Sequence, residues 1–242
     1  MNVLVLGDSW GCDFGDPSHQ MPLRSLEPQN TWIRYSDHVI YNCSIFGGSN
    51  IATLNAGKTF LQNKINNKAK PIDLIVWYYT ELGRDNHHTN FVFLNNRMYT
   101  FNYPLLGTVK IEDSLDWLHN ETYKLASEIK TMYPNAKWAI VGGHASIYKP
   151  ADYDWADFII EDLISELLGY HVPTSHFQCA DHYKNSSSKN IDILESELSK
   201  YESLLSVRET ESMFIDNVHI DSHIRHNLVT DRILDHFSPK NT

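Results

Sequence analysis

Val3-Leu4-Val5-Leu6-Gly7-Asp8-Ser9-Trp10 stands near the head of a 242-residue chain. Its apolar run, stopped by Gly7-Asp8, reads as a buried strand. A loop rich in Gly, Asp and Pro follows from Gly11 to about Asn30, and Thr31 is placed to cap a short helix through Tyr35 and His38. Val39 to Cys43 reads as a second strand, closed by Gly47-Gly48. Ser49 then has the chemistry of an N-cap for a helix running to about Ile65. Ile72 to Tyr79 is apolar apart from Asp73, which predicts a third strand buried on both faces. Phe91-Val92-Phe93 and Met98-Tyr99-Thr100-Phe101 suggest a small hairpin around Asn95-Asn96.

The second half repeats the alternation. Ile111, Leu115, Leu118, Leu125, Ile129 and Met132 recur at helical spacing, and Pro134-Asn135 ends that run. Trp138 to Val141 predicts a fourth strand, ended by Gly142-Gly143-His144. Phe158 to Leu168 is strongly apolar and reads as a helix ended by Gly169. Lys184 to Lys189 is polar and reads as a surface loop. Ile191, Leu194, Leu198, Tyr201 and Leu205 mark another helix, Met213-Phe214-Ile215 a last short strand before Asp216, and Ile224 to Phe237 a closing helix. Apolar strands alternating with helices imply an α/β fold, a mostly parallel sheet covered on both faces, in one domain spanning 1–242. Ligands of such sheets bind at the carboxyl ends of the strands, so the residues just after each strand are where chemistry is expected.

Composition narrows the function classes. Hydrophobic residues make up 42% and charged residues 21%, an ordinary globular balance. Twenty Lys plus Arg against thirty Asp plus Glu give a net charge of −10, which argues against nucleic acid or an anionic membrane as the partner. No run of 18 apolar residues occurs, so no membrane span is expected. Neither a basic n-region nor a long apolar h-region precedes Val3, so a cytoplasmic protein is expected. Cys12, Cys43 and Cys179 are odd in number and far apart, which points away from a disulfide framework or a structural zinc site.

Two strand ends carry the chemistry. Ser9, just after the first strand, sits on a turn at the top of the sheet, where a nucleophile would be exposed. After the last strand comes Asp216-Asn217-Val218-His219. An Asp three residues before a His can accept the Nδ1 proton, fixing the tautomer and leaving Nε2 to take a proton from serine. Either string alone is common; together, at the first and last strand ends, they are specific.

On these residues the chain resembles the SGNH (GDSL-type) hydrolases, which include esterases, lipases, acyl-thioesterases and carbohydrate acetylesterases. Gly7-Asp8-Ser9 is similar to the family's first block, which makes Ser9 the nucleophile. Asn42 to Asn50, with Gly47-Gly48 inside it, is similar to the second block, whose glycine N–H helps hold the oxyanion. By position that glycine is Gly47, with Gly48 adjacent. Asp216 and His219 are similar to the fifth block. The resemblance implies a three-layer α/β/α sandwich of flavodoxin-like type, hydrolysis of an ester, and no cofactor.

The third block departs from the pattern. The family has Gly-x-Asn-Asp after strand three, its Asn donating to the oxyanion; here Thr80 holds the Gly position and Leu82 the Asn position. Thr80, Arg84 and Asn86 are the nearby groups able to donate instead. Loss of one oxyanion donor typically costs about 3–4 kcal/mol, or about 10²–10³ in rate. The family's His-Pro is also absent, since Ile220 follows His219.

Other candidates have plainer explanations. Asp8 reads as a turn-stabilising carboxylate rather than a catalytic acid. Cys12 has no base placed beside it. His219, His223 and His226 fall at i, i+4 and i+7, but the closing helix is expected to start at Asp221 or Ser222, which leaves His219 in the loop before it; no metal is expected. Trp10, Asn50 and His144 are candidate substrate contacts. Trp77 and one of Tyr78 and Tyr79 are expected in the core. The expected partner is a small-molecule or glycan ester. The competing expectation is a binding or structural module of the same fold that has lost catalysis and recognises a glycan or acyl ligand.

Overall fold

Alternate residues of the central strands point to opposite faces of one sheet, and both sets are apolar. A computed structural model describes residues 1–11, 38–45, 47–87, 91–94, 97–100, 111–143, 145–176, 191–214, 219–220 and 229–238. Strands β1 (Asn2–Leu6), β2 (Val39–Asn42), β3 (Leu74–Tyr79), β6 (Lys137–Gly142) and β7 (Phe158–Ile160) form a parallel sheet in the order β2-β1-β3-β6-β7. All six residues of β3 are buried, as a central strand covered on both sides requires. A separate antiparallel hairpin joins β4 (Phe91–Leu94) to β5 (Arg97–Thr100), with Leu94 opposite Arg97. It is the hairpin expected around Asn95-Asn96.

On one face, Leu4, Leu6, Ile75, Trp77 and Ile140 pack against α1 (Asn50–Asn66) and α2 (Ile111–Met132) through Leu54, Leu61, Leu118 and Ile129. On the other, Val3, Val5, Val76, Tyr78 and Val141 pack against α3 (Leu163–Leu168), α4 (Ile191–Thr210) and α5 (Asp231–Phe237) through Ile164, Leu204 and Ile233. The fold is therefore a three-layer α/β/α sandwich with flavodoxin-like strand order. Ser49 caps α1, its Oγ accepting from the Ala52 N–H at 3.2 Å. Among the described residues, no helix is long and apolar enough to cross a membrane.

Two expected elements change. The stretch Phe158 to Leu168 is not one helix. Its first three residues pair with Ala139–Val141 as the edge strand β7, and Asp162 caps α3, its Oδ1 accepting from the Ser165 N–H at 3.0 Å. An open sheet edge outweighs the helical pattern of a short apolar run, and the capping carboxylate divides it. Of the expected last strand, Met213 lies in a turn, Phe214 makes a single antiparallel bridge to Ile220, and Ile215 lies outside the described residues. So do the short helix expected after Thr31 and the loop Lys184 to Lys189.

Asp157 fastens the outer strands. Its carboxylate accepts from Lys137 Nζ at 2.7 Å and from the Trp138 N–H at 2.9 Å. Burial alone would raise its pKa, but the Lys137 and Trp138 hydrogen bonds outweigh burial and hold it below the ordinary value of 3.8. A depressed carboxylate pKa stabilises the fold above the unfolded-state value and loses that contribution as pH falls through the folded-state value. The gap in urea midpoint between wild type and Asp157→Asn is therefore expected to be full at pH 7 and to close as pH drops below about 4. A gap that stayed constant down to pH 3 would contradict this.

Candidate active site

The chain runs from β1 outward to β2 and then returns to β3 on the other side, so the strand order reverses between β1 and β3. Such a switch point opens a crevice at the carboxyl ends of the two strands. Gly7-Asp8-Ser9 leaves β1 there, and Thr80-Glu81 leaves β3.

The turn holding Ser9 is built from its neighbours. Gly7 has φ +154°, and a Cβ there would stand 2.7 Å from Tyr78 Cβ, so the close approach to β3 requires glycine. The Gly7 N–H donates to Thr53 Oγ1 on α1 at 2.7 Å. Asp8 accepts from the Gly11 N–H through its carbonyl at 3.1 Å and from the Trp10 N–H through Oδ1 at 2.9 Å. Asp8 is thus the turn-stabilising carboxylate its position predicts. Ser9 stands on this turn but is 3% exposed, so the nucleophile expected to be exposed is instead buried in the crevice. His219 Nε2 lies 2.9 Å from Ser9 Oγ, a hydrogen bond between residues 210 positions apart. With the imidazole neutral and protonated at Nδ1, the serine hydroxyl donates to Nε2. Asp216, the expected orienting carboxylate, lies outside the described residues, as do Cys12, His144, His223 and His226.

The backbone donors around Ser9 divide cleanly. The N–H groups of Gly7, Trp10 and Gly11 are occupied as above, and that of Gly48 donates to the Ile45 carbonyl at 2.7 Å. Among the described residues, nothing occupies the N–H of Ser9 or of Gly47. Gly47 has φ +66°, left-handed backbone that glycine adopts without strain, just before the Gly48 N–H that closes the turn on Ile45. Of the two adjacent glycines, Gly47 is therefore the one with a donor to offer.

Three expected contacts have other partners. The Thr80 hydroxyl is shared between Asp8 Oδ2 at 2.9 Å and Glu81 Oε2 at 2.6 Å, and its N–H donates to Asn50 Oδ1 at 3.0 Å. Thr80 thus has no proton to offer an oxyanion. Asn50 is fully buried and also donates to the Thr80 carbonyl at 2.8 Å, so its amide clamps α1 to the end of β3 instead of meeting substrate. Trp10 is 2% exposed and packs on Gly143 and the second core face, also away from solvent. Asn50→Ala strands a buried donor and acceptor of Thr80, and is expected to lower stability by about 2–4 kcal/mol in urea unfolding.

The charges beneath Ser9 were not legible as a unit. Arg84 Nη1 lies 3.2 Å from Asp8 Oδ2, and its Nε lies 2.6 Å from Glu81 Oε2. Arg208 on α4 is 1% exposed, and burial pushes its guanidinium down to about 10, opposed by the carboxylates of Glu81 and Asp8. Two carboxylates and two guanidiniums thus balance in the interior, the condition under which buried charge is tolerated. One signal could have found Arg208: it stands four residues after Leu204, on the buried stripe of α4. Burial also pushes the Cys43 thiol up to about 12, so it is no thiolate nucleophile at neutral pH.

No protein-family model matches the chain, and no curated protein matches it in sequence. Solved structures similar to it include the psychrotrophic esterase EstA from Pseudoalteromonas sp., at 14% identity and a TM-score of 0.41, covering 97% of this chain and 94% of that one. A second, TesA, is 14% identical with a TM-score of 0.38, covering 96% and 95%. A third, a GDSL-like lipase from Parabacteroides merdae, is 12% identical with a TM-score of 0.39, covering 93% and 94%.

Proposed function

We propose that the chain is a serine esterase of SGNH type that cleaves an acetyl or short acyl ester of a small molecule or glycan. The single observation that carries this is the 2.9 Å link between Ser9 Oγ and His219 Nε2. Ser9 Oγ attacks the ester carbonyl carbon while its proton passes to Nε2. The N–H groups of Ser9 and Gly47 hold the carbonyl oxygen as it becomes an oxyanion. His219 then protonates the leaving alcohol, and the acyl group remains on Ser9. Water, activated by the same imidazole, releases the acid and restores the serine. Asp216 orients His219 and stabilises its cationic form.

By count along the chain Leu82 holds the position of the family's asparagine, and its side chain is buried. With two backbone donors in place of three, turnover is expected to be slow, by about 10²–10³-fold against a full oxyanion hole. That same buried leucine favours the second reading, a binding module that retains the fold and the serine turn but not turnover. Chromogenic esters from acetate to longer acyl chains separate the two. Turnover that disappears in Ser9→Ala supports the esterase; no turnover on any chain length, with glycan or acyl ligand binding retained, supports the module.

A further inference from the structure

The catalytic pair belongs to two arms of the chain. Ser9 rides on the turn after β1, and His219 directly precedes Ile220, which bridges to Phe214. Something must hold those arms at hydrogen-bond distance. Arg208 lies between them. Its guanidinium carbon is 5.9 Å from the ring centre of Trp10, the residue after Ser9. It is 6.0 Å from the ring centre of Phe214, which bridges to Ile220, the residue after His219. A planar guanidinium can face two aromatic rings at once, which an ammonium cannot do as well.

We propose, resting on the esterase reading above, that Arg208 is a positioning residue that braces the Ser9 turn against the His219 arm. Its charge fits the role. Glu81 and Asp8 both act on it electrostatically, so the brace is tied to the same buried network that anchors the turn through Arg84 and Thr80. A surface arginine would cost nothing to lose from this site. A fully buried one has given up its hydration to stand at this position.

The test uses Arg208→Lys, which keeps the positive charge without the plane, and Arg208→Met, which removes both. Two measurements are made on the full chain, well below the melting temperature of each variant. The first is a crystal structure, read for the distance from Ser9 Oγ to His219 Nε2. The second is the rate of Ser9 labelling by a fluorophosphonate. The brace predicts that the pair opens beyond hydrogen-bond distance in both variants. It also predicts labelling slower by on the order of tenfold to a hundredfold, the cost of misplacing a reacting group by about 1 Å. If Arg208→Met does not fold, Arg208→Lys alone decides. A variant with a lowered melting temperature but the pair at its original spacing and labelling at the original rate reduces Arg208 to a folding role and overturns the proposal. Failure of the wild type to label at all sinks the esterase reading instead, and the spacing of the pair in Arg208→Lys still decides the brace.

Discussion

His219→Asn is expected to fold and to lose at least about 10⁴-fold of its ester hydrolysis. The reason is local. Ser9 Oγ has its 2.9 Å contact with Nε2, and asparagine offers no nitrogen that can take the hydroxyl proton. Without a base the serine reacts as an ordinary alcohol, and only the backbone donors and substrate binding remain. The fold has little reason to change. His219 is half-buried, and the neighbouring bridge between Phe214 and Ile220 is made by backbone. Chromogenic ester hydrolysis and a thermal melt on the same sample check both halves. A His219→Asn variant that kept a tenth or more of the activity would mean that another group is the base.

Arg84→Met carries the largest expected cost in stability. The guanidinium is 3.2 Å from Asp8 and 2.6 Å from Glu81, and all three side chains are buried. Removing it leaves two carboxylates facing one remaining cation, Arg208. Breaking a buried ion pair by deleting one partner costs about 3–5 kcal/mol. For a chain of this length, that lowers the melting temperature by roughly 6–20 °C. Adding Glu81→Gln to Arg84→Met restores the charge balance and is expected to recover part of the loss. Calorimetry on the two variants and wild type makes the comparison. A loss under about 1 kcal/mol in Arg84→Met would show that the network contributes little to stability.

The strands and the Gly7-Asp8-Ser9 turn were legible because their physics is local. Val3 to Leu6, Leu74 to Tyr79 and Trp138 to Val141 are apolar on both faces, and only a central strand of a covered parallel sheet satisfies that. Gly7-Asp8-Ser9 could be read because a glycine for close approach, an Asp that accepts from the backbone and a hydroxyl at a strand end each have one evident use, although Ser9 is buried where an exposed hydroxyl was expected. The misreadings share a different cause. Phe158 to Leu168 has the composition of a buried helix, and only the vacant edge beside β6 makes its first three residues a strand. Trp10 and Asn50 follow catalytic-looking positions in sequence, yet their side chains turn inward, to Gly143 and to the Thr80 backbone. Arg84 and Arg208 were illegible as a pair because they are 124 positions apart, and the ring and charge that give each its meaning come from other segments.

Intact-mass spectrometry after fluorophosphonate treatment, on wild type and Ser9→Ala, tests the central assignment most directly. Phosphonylation needs a serine whose proton is drawn off by a neighbouring base, so it reports the Ser9–His219 pair without any knowledge of the natural ester. A single adduct on wild type, mapped to Ser9 and missing from Ser9→Ala, is the predicted result. No adduct on wild type, or the same adduct on Ser9→Ala, would contradict it.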